Sequence, residues 1–300
     1  MKNFLKHPLA KNLDLDSPDA PLVHGQVIRS KPFLQKLYHE WYQSIVLHLP
    51  DYSEGKILEL GSGGGSLNTF IPNIIASDIQ LNKDVDIILD AKELPFSTCS
   101  LNAIVMIDVF HHINDVDKFL QESIRCLTEK GKIIMIEPWI TFSSVLIYKY
   151  IHNEPCLPES KQWSFSDSGP LSGANLALPW IVFKRDKKFF FEKYNKLKIN
   201  DPAPRGGVLI DKECFAVTPQ AAGYKSQGFA INAIDLDWPF IYLLSGGVSM
   251  KTFVPERSYP FFRKIERLLA PAIEHLAMFA VIVLEKRKSR KIEESDSSCV

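Results

Sequence analysis

Between Lys56 and Glu137 short apolar runs recur, each with an acid at or beside its carboxyl end: KILEL, NIIASD, VDIILD, LNAIVMID and GKIIMIE. They are too short for helices and lack the alternation of a strand with one wet face. Runs that are apolar on both faces mark parallel strands covered by helices on either side. Between the last two lies DVDKFLQESIRCLTEKG, which places Val116, Phe119, Leu120, Ile124 and Leu127 on one helical face, with Gly131 as a C-cap candidate. That is a βα crossover. The other connections are shorter, and GGGSLNTFIPN leaves room for about two turns of helix. The alternation predicts an open α/β sheet, whose ligand site lies at the carboxyl ends of its strands.

The stretch KILELGSGGGS puts its glycines at such an end, which makes them a cofactor turn rather than a linker. Their spacing selects the ligand. A dinucleotide fingerprint begun at Gly61 needs a third glycine where this chain has Ser66, and a phosphate loop needs a Gly-Lys-Ser/Thr that does not follow. What remains is Glu59, Gly61, Gly63 and Gly65. An acid beside the turn repels pyrophosphate and suits a ligand carrying an ammonium and a sulfonium.

From Lys56 to Trp139 the chain resembles the class I S-adenosylmethionine-dependent methyltransferases, specifically the methyltransferase type 11 group. ILELGSGGG is similar to the family's first motif, IIASDI to the second strand, LDAKELPFSTCSLNAIVMIDVFHHIND to the third and fourth motifs, and LTEKGKIIMIEP to the fifth strand with its Lys-Gly turn. The resemblance implies an α/β Rossmann-like class I methyltransferase fold. Its sheet is mostly parallel with an antiparallel closing strand, helices cover both faces, and an irregular insertion lies on the substrate side. It implies S-adenosyl-L-methionine as cofactor, with S-adenosyl-L-homocysteine as product, and no metal.

The same resemblance assigns site residues. Asp78 would accept the ribose hydroxyls, with a helix N-cap as its competing role. Asp90 and Ala91 would meet the adenine amino group, and Ile79 and Leu94 would flank the ring. Glu59, Leu60, Gly61, Ser62 and Gly63 would surround the methionyl portion, where glycine lets the ligand approach bare backbone. Asp108 and Val109 would complete the pocket floor. In FHHIND, His111 and His112 are candidate bases for a hydroxyl acceptor, His112 the better one, while a bracing histidine and a cofactor-lining one are the plain alternative. Glu137 either orients the acceptor or holds a loop.

Before the core, residues 1–30 are polar and broken by prolines, and Leu34, Leu37, Trp41, Ile45 and Leu49 then mark an amphipathic helix. After it, an aromatic-rich insertion offers Trp139, His152, Glu154, Trp163 and Trp180 as acceptor-site suspects. A looser resemblance of IRSKPFLQKLYHEWY, LPWIVFKRDKKFFFEKY and the YLLSGG segment to polysaccharide-pathway members suggests a glycosyl or lipid-linked glycan acceptor. Residues 201–235 depart from that pattern and read as an added hairpin or an irregular loop. The resulting division is an arm and cap helix (1–50), one methyltransferase domain (51–285, with core 56–139, insertion 140–240 and closing helix and strand 258–285) and a flexible tail (286–300). The expected reaction is methyl transfer to a hydroxyl of a small molecule or glycan; the alternative is a non-catalytic relative that binds or scaffolds.

Lysine plus arginine equals aspartate plus glutamate at 35 each, so no net field draws the chain to nucleic acid. The basic run Lys286 to Lys291 reads first as a solvated end and second as peripheral contact with an anionic membrane. Five scattered cysteines, Cys99, Cys126, Cys156, Cys214 and Cys299, read as mostly buried small hydrophobes in a reducing compartment. No apolar signal region stands near Met1, and LLAPAIEHLAMFAVIVL is broken by Pro271, Glu274 and His275, so it reads as a helix end and a buried strand. The expected location is cytoplasmic.

Overall fold

The computed structural model describes residues 2–50, 55–152, 154–166, 169, 172–194 and 228–287. The apolar runs form β1 (Ile57–Leu60), β2 (Ile75–Asp78), β3 (Ile87–Ile88), β4 (Leu101–Ile107) and β5 (Leu127–Pro138). Two further strands, β6 (Phe229–Asp237) and β7 (Phe279–Lys286), complete a seven-stranded sheet of order β3-β2-β1-β4-β5-β7-β6. The first five strands pair in parallel, and β7 runs antiparallel to both β5 and β6. All four residues of β1 are buried, so the sheet there is covered on both faces, as its unbroken apolar run requires.

The order reverses at β1, where β2 and β3 lie to one side and β4 to the other. The crevice at that switch point, outside the carboxyl ends of β1 and β4, is where such a sheet takes its ligand. Connections are trimmed as expected: only a 3-10 turn, Leu67–Thr69, stands between β1 and β2. The Val116–Cys126 helix joins β4 to β5; Asp115 caps its start by accepting from the Lys118 N–H, and Val116, Phe119, Leu120 and Ile124 are buried.

The Pro32–His48 helix lays Leu34, Leu37, Trp41 and Ile45 against the sheet. Trp41 is fully buried, with the Phe279 ring 5.0 Å away and those of Tyr242 and Trp238 at 6.0 Å. Removing that indole leaves a cavity, so Trp41→Ala is expected to cost about 3–5 kcal/mol in chemical denaturation. A loss below about 1 kcal/mol would place the helix off the core.

Several expectations change. Gly131 is not a helix cap: the helix stops at Cys126, β5 starts at Leu127, and Gly131 lies in a register irregularity between the Leu101–Leu127 and Ala103–Lys132 pairs. Of the described cysteines Cys126 and Cys156 are buried, as read, and Cys99 is exposed. Lys286 belongs to β7 and is fully buried, its Nζ donating to the Leu127 carbonyl at 2.5 Å. It offers nothing to a membrane, and the tail 288–300 lies outside the described residues. Residues 201–227 also lie outside them, whereas 229–235 form most of the edge strand β6. No helix among the described residues is long and apolar enough to cross a membrane. In the arm, the Ala20–Ser30 helix was not anticipated.

Candidate active site

One pocket sits at the switch point and gathers the glycine turn, the ends of β2 and β4, and the arm helix. The turn is held from several sides. Gly61 and Gly63 have φ of +64° and +50°, the left-handed region that side chains with a Cβ resist. A Cβ on Gly61 would stand 2.5 Å from a Val109 methyl, so both backbone and neighbour demand glycine. Gly61→Ala is expected to cost about 1–2 kcal/mol from the backbone alone, read in thermal unfolding, together with weakened cofactor binding. Parent-like values in both would mean the turn is not tight.

The Gly63 N–H donates to Asp78 Oδ2 at 2.8 Å, and the Gln80 N–H donates to Asp78 Oδ1 at 3.0 Å. Asp78 therefore fastens the turn to the end of β2 and is no helix cap; each oxygen keeps a lone pair for a ligand hydroxyl. Tyr42 accepts from the Ser66 N–H through its hydroxyl at 3.0 Å, and Gly25 of the arm helix abuts Gly64.

Glu59, Leu60, Gly61, Ser62, Gly63, Asp78, Ile79, Asp90, Ala91, Asp108 and Val109 all line this pocket. Leu94 does not. It is 2% exposed in the core; its N–H donates to Glu122 and its carbonyl accepts from Arg125, so it braces the loop behind the pocket. Sequence reasoning missed Tyr38, Tyr42, His24, Ile28, Gln80 and Val248, which also line it. Tyr38 and Tyr42 had a signal, the i, i+4 spacing on a helix whose other face was assigned to the core.

Around the histidines the structure separates roles that the sequence left open. Glu137 is fully buried and accepts from the Val109 and Phe110 N–H groups at 2.8 and 2.7 Å and from His111 Nδ1 at 2.8 Å. It holds the loop and has no surface for an acceptor. His111 is 1% exposed, and its Nε2 lies 3.3 Å from Glu154. Burial alone would lower its pKa, but the bonds to Glu137 and Glu154 hold it well above the usual histidine range, as an imidazolium out of reach of substrate.

His112 does line the pocket. Its Nδ1 lies 3.0 Å from the Gly173 carbonyl, which can only accept, so Nδ1 carries the proton and Nε2 keeps its lone pair. Burial, then the charge of His111, lowers its pKa to about 4, which keeps the ring neutral. Of the suspects in the insertion, Glu154 reaches the pocket, and His152 lies 3.8 Å from it. Trp139 and Trp163 are buried in the core, the latter donating to Asp186, and Trp180 packs half-buried against it.

A glycine turn fixed by an acid at the switch point of a 3-2-1-4-5-7-6 sheet defines the class I methyltransferase fold. Residues 58–135 match the family model described as "Methyltransferase domain". No curated protein matches the chain. Among solved structures, it is similar to the Haloferax volcanii methyltransferase in complex with the Trm112 activator (16% identity, 36% of this chain and 57% of that one, TM-score 0.32). It is also similar to a SAM-dependent methyltransferase from Thermotoga maritima (15% identity, 84% and 89%, TM-score 0.42). A third is the Streptomyces coelicolor geranyl diphosphate C-methyltransferase (12% identity, 94% and 91%, TM-score 0.44). The chain thus spans 57% of the length of the first of these.

The residues present fit S-adenosylmethionine. The turn admits no Cβ at Gly61, Asp78 stands at the end of β2, and the carboxylates suit a cationic ligand. Burial, with Asp78 and Asp86 nearby, raises the Glu59 pKa to about 7. Burial likewise raises Asp108 to about 7, with His111 opposing and Glu154 and Glu137 adding to the rise. Both are partly protonated near neutrality in the free protein, and a bound cation favours their charged forms. S-adenosylmethionine affinity is therefore expected to rise as pH climbs from about 6 to about 8 and to level off above, by up to about tenfold per pKa unit recovered. Calorimetry in two buffers of unlike ionisation enthalpy reads the released protons; binding without proton release would contradict the assignment.

Proposed function

We propose that this chain transfers the methyl of S-adenosylmethionine to a hydroxyl oxygen of a small-molecule or glycan acceptor, a sugar or lipid-linked saccharide made for a surface polysaccharide on the cytoplasmic side. The cofactor supplies an electrophilic methyl on a sulfonium. The chain supplies position: Asp78 for the ribose hydroxyls, Asp90 and Ala91 for the adenine amino group, Ile79 for the ring and Glu59 for the ammonium. Methyl transfer is an in-line displacement, so holding the acceptor oxygen in register can carry much of the rate. As the oxygen gains its methyl it becomes a protonated ether, a far stronger acid than an imidazolium. Even a weakly basic imidazole therefore takes that proton.

The observation that carries this reading is His112, neutral, with Nδ1–H fixed on Gly173 and the Nε2 lone pair left open on the pocket that holds the glycine turn. The division into an arm (1–50), a methyltransferase domain (51–285) and a tail belongs to the same proposal, with β7 extending the domain through Lys286. The test incubates the protein with methyl-labelled S-adenosylmethionine and fractionated sugars and lipid-linked saccharides. Label recovered as an alkali-stable ether supports the proposal; label on nitrogen or carbon moves the acceptor atom. Cofactor binding with no transfer to any fraction identifies the non-catalytic relative.

A further inference from the structure

Glu154 lines the pocket together with Tyr38, Asp108, His112 and His24. Glu154 enters it as the tip of a buried chain. Glu137, fixed by two backbone N–H groups at the end of β5, holds His111 Nδ1 at 2.8 Å, and His111 Nε2 faces Glu154 at 3.3 Å. His111 is 1% exposed and both its ring nitrogens are engaged by carboxylates, so it offers the pocket no free atom. What the chain delivers to the pocket is the Glu154 carboxylate, whose side chain remains 21% exposed. Burial would raise its pKa, but the His111 hydrogen bond and charge hold it at about 2, so it is anionic at any working pH.

Among the described lining residues no lysine or arginine is left open to an anion. Lys92 is the one lysine or arginine among the described lining residues, and its Nζ is engaged by Asn114 Oδ1 at 2.7 Å and Asp90 at 3.4 Å. Burial pushes both His24 and His112 toward the neutral form. A phosphate or carboxylate brought here would meet Glu154 and Asp108 in a water-poor setting, and among the described residues the nearest cation, His111, is buried behind Glu154 and shared with Glu137.

We propose that Glu154 is the acceptor-binding carboxylate, positioned by His111 and Glu137, and that it selects a neutral or cationic polyol while excluding phosphate and carboxylate groups from the pocket. This rests on the methyl-transfer reading. It refines the acceptor class: in a lipid-linked saccharide, the sugar enters and any diphosphate stays outside.

The test loads the full chain with S-adenosylhomocysteine and titrates one sugar scaffold in three charge states, glucosamine, glucose and glucuronate, with Tris and inorganic phosphate as probes free of the scaffold. Binding is read from the ring resonances of His112 and Tyr38. Glucosamine is expected to bind at least about tenfold tighter than glucuronate, and Tris at least about tenfold tighter than phosphate. Glu154→Gln erases that order with S-adenosylhomocysteine affinity retained, and Glu154→Asp restores part of it. Should no sugar bind while Tris still outbinds phosphate, the sugar reading falls and the charge selection stands. Glucuronate or phosphate binding as tightly as the cationic probe overturns the selection, and so does an order unchanged in Glu154→Gln. Silence from all five probes overturns both.

Discussion

His112→Ala lowers turnover by about 10²–10⁴-fold while S-adenosylmethionine affinity stays within about twofold of the parent, the expected signature of a lost general base. The split follows from geometry. His112 lies on the loop after β4, and its Nδ1 is spent on the Gly173 carbonyl, so the residue offers the pocket a lone pair and little binding energy. Its pKa of about 4 adds a second signature. A histidine base of ordinary pKa loses activity as pH falls through about 6.5, whereas here the His112-dependent limb is displaced well below that. Steady-state rates across pH in parent and variant read both signatures. An unchanged rate in His112→Ala removes the residue from the reaction.

Asp78→Ala weakens S-adenosylmethionine binding by about a hundredfold. A hydrogen bond to a charged group contributes about 1.5–3 kcal/mol, and Asp78 is the residue proposed to accept from the ribose. The substitution also strips the Gly63 and Gln80 N–H groups of their acceptor, so the glycine turn loses its tether to β2. Asp78→Asn keeps the shape and part of the bonding and should fall between parent and alanine. Calorimetry checks the series; an affinity unaffected by the alanine substitution would remove Asp78 from the cofactor site.

The sheet was legible because β1, β4 and β5 are buried on both faces, and burial of that kind writes itself as unbroken apolar sequence. β6 was only half legible: as a half-exposed edge strand carrying Asn232 and Asp235, its stretch read equally as an added hairpin or an irregular loop. The Ala20–Ser30 helix escaped for a different reason. Its buried positions are Ala20, Pro21, Gly25 and Val27, of which Gly25 and the Pro21 carbonyl abut Gly64, and the proline reads as a break although it sits harmlessly in the first turn.

The pocket lining proposed for the cofactor was legible because it is made at strand ends in sequence order, Glu59, Asp78, Asp90 and Asp108. The acceptor side joins distant segments. That His111 bridges Glu137 to Glu154, and that His112 alone of the pair faces the pocket, depends on which way two adjacent side chains point, which no spacing rule states. Leu94 failed for a related reason, since the Arg125 and Glu122 contacts turn its loop inward.

The central claim, that one pocket holds the methyl donor beside the base, is tested most directly with S-adenosylmethionine carrying a ¹³C-labelled methyl. The account predicts a single bound methyl resonance with magnetisation transfer to ring protons of His112 and Tyr38, lost in Asp78→Ala. A bound methyl that contacts neither ring, or no bound signal at millimolar ligand, would contradict it.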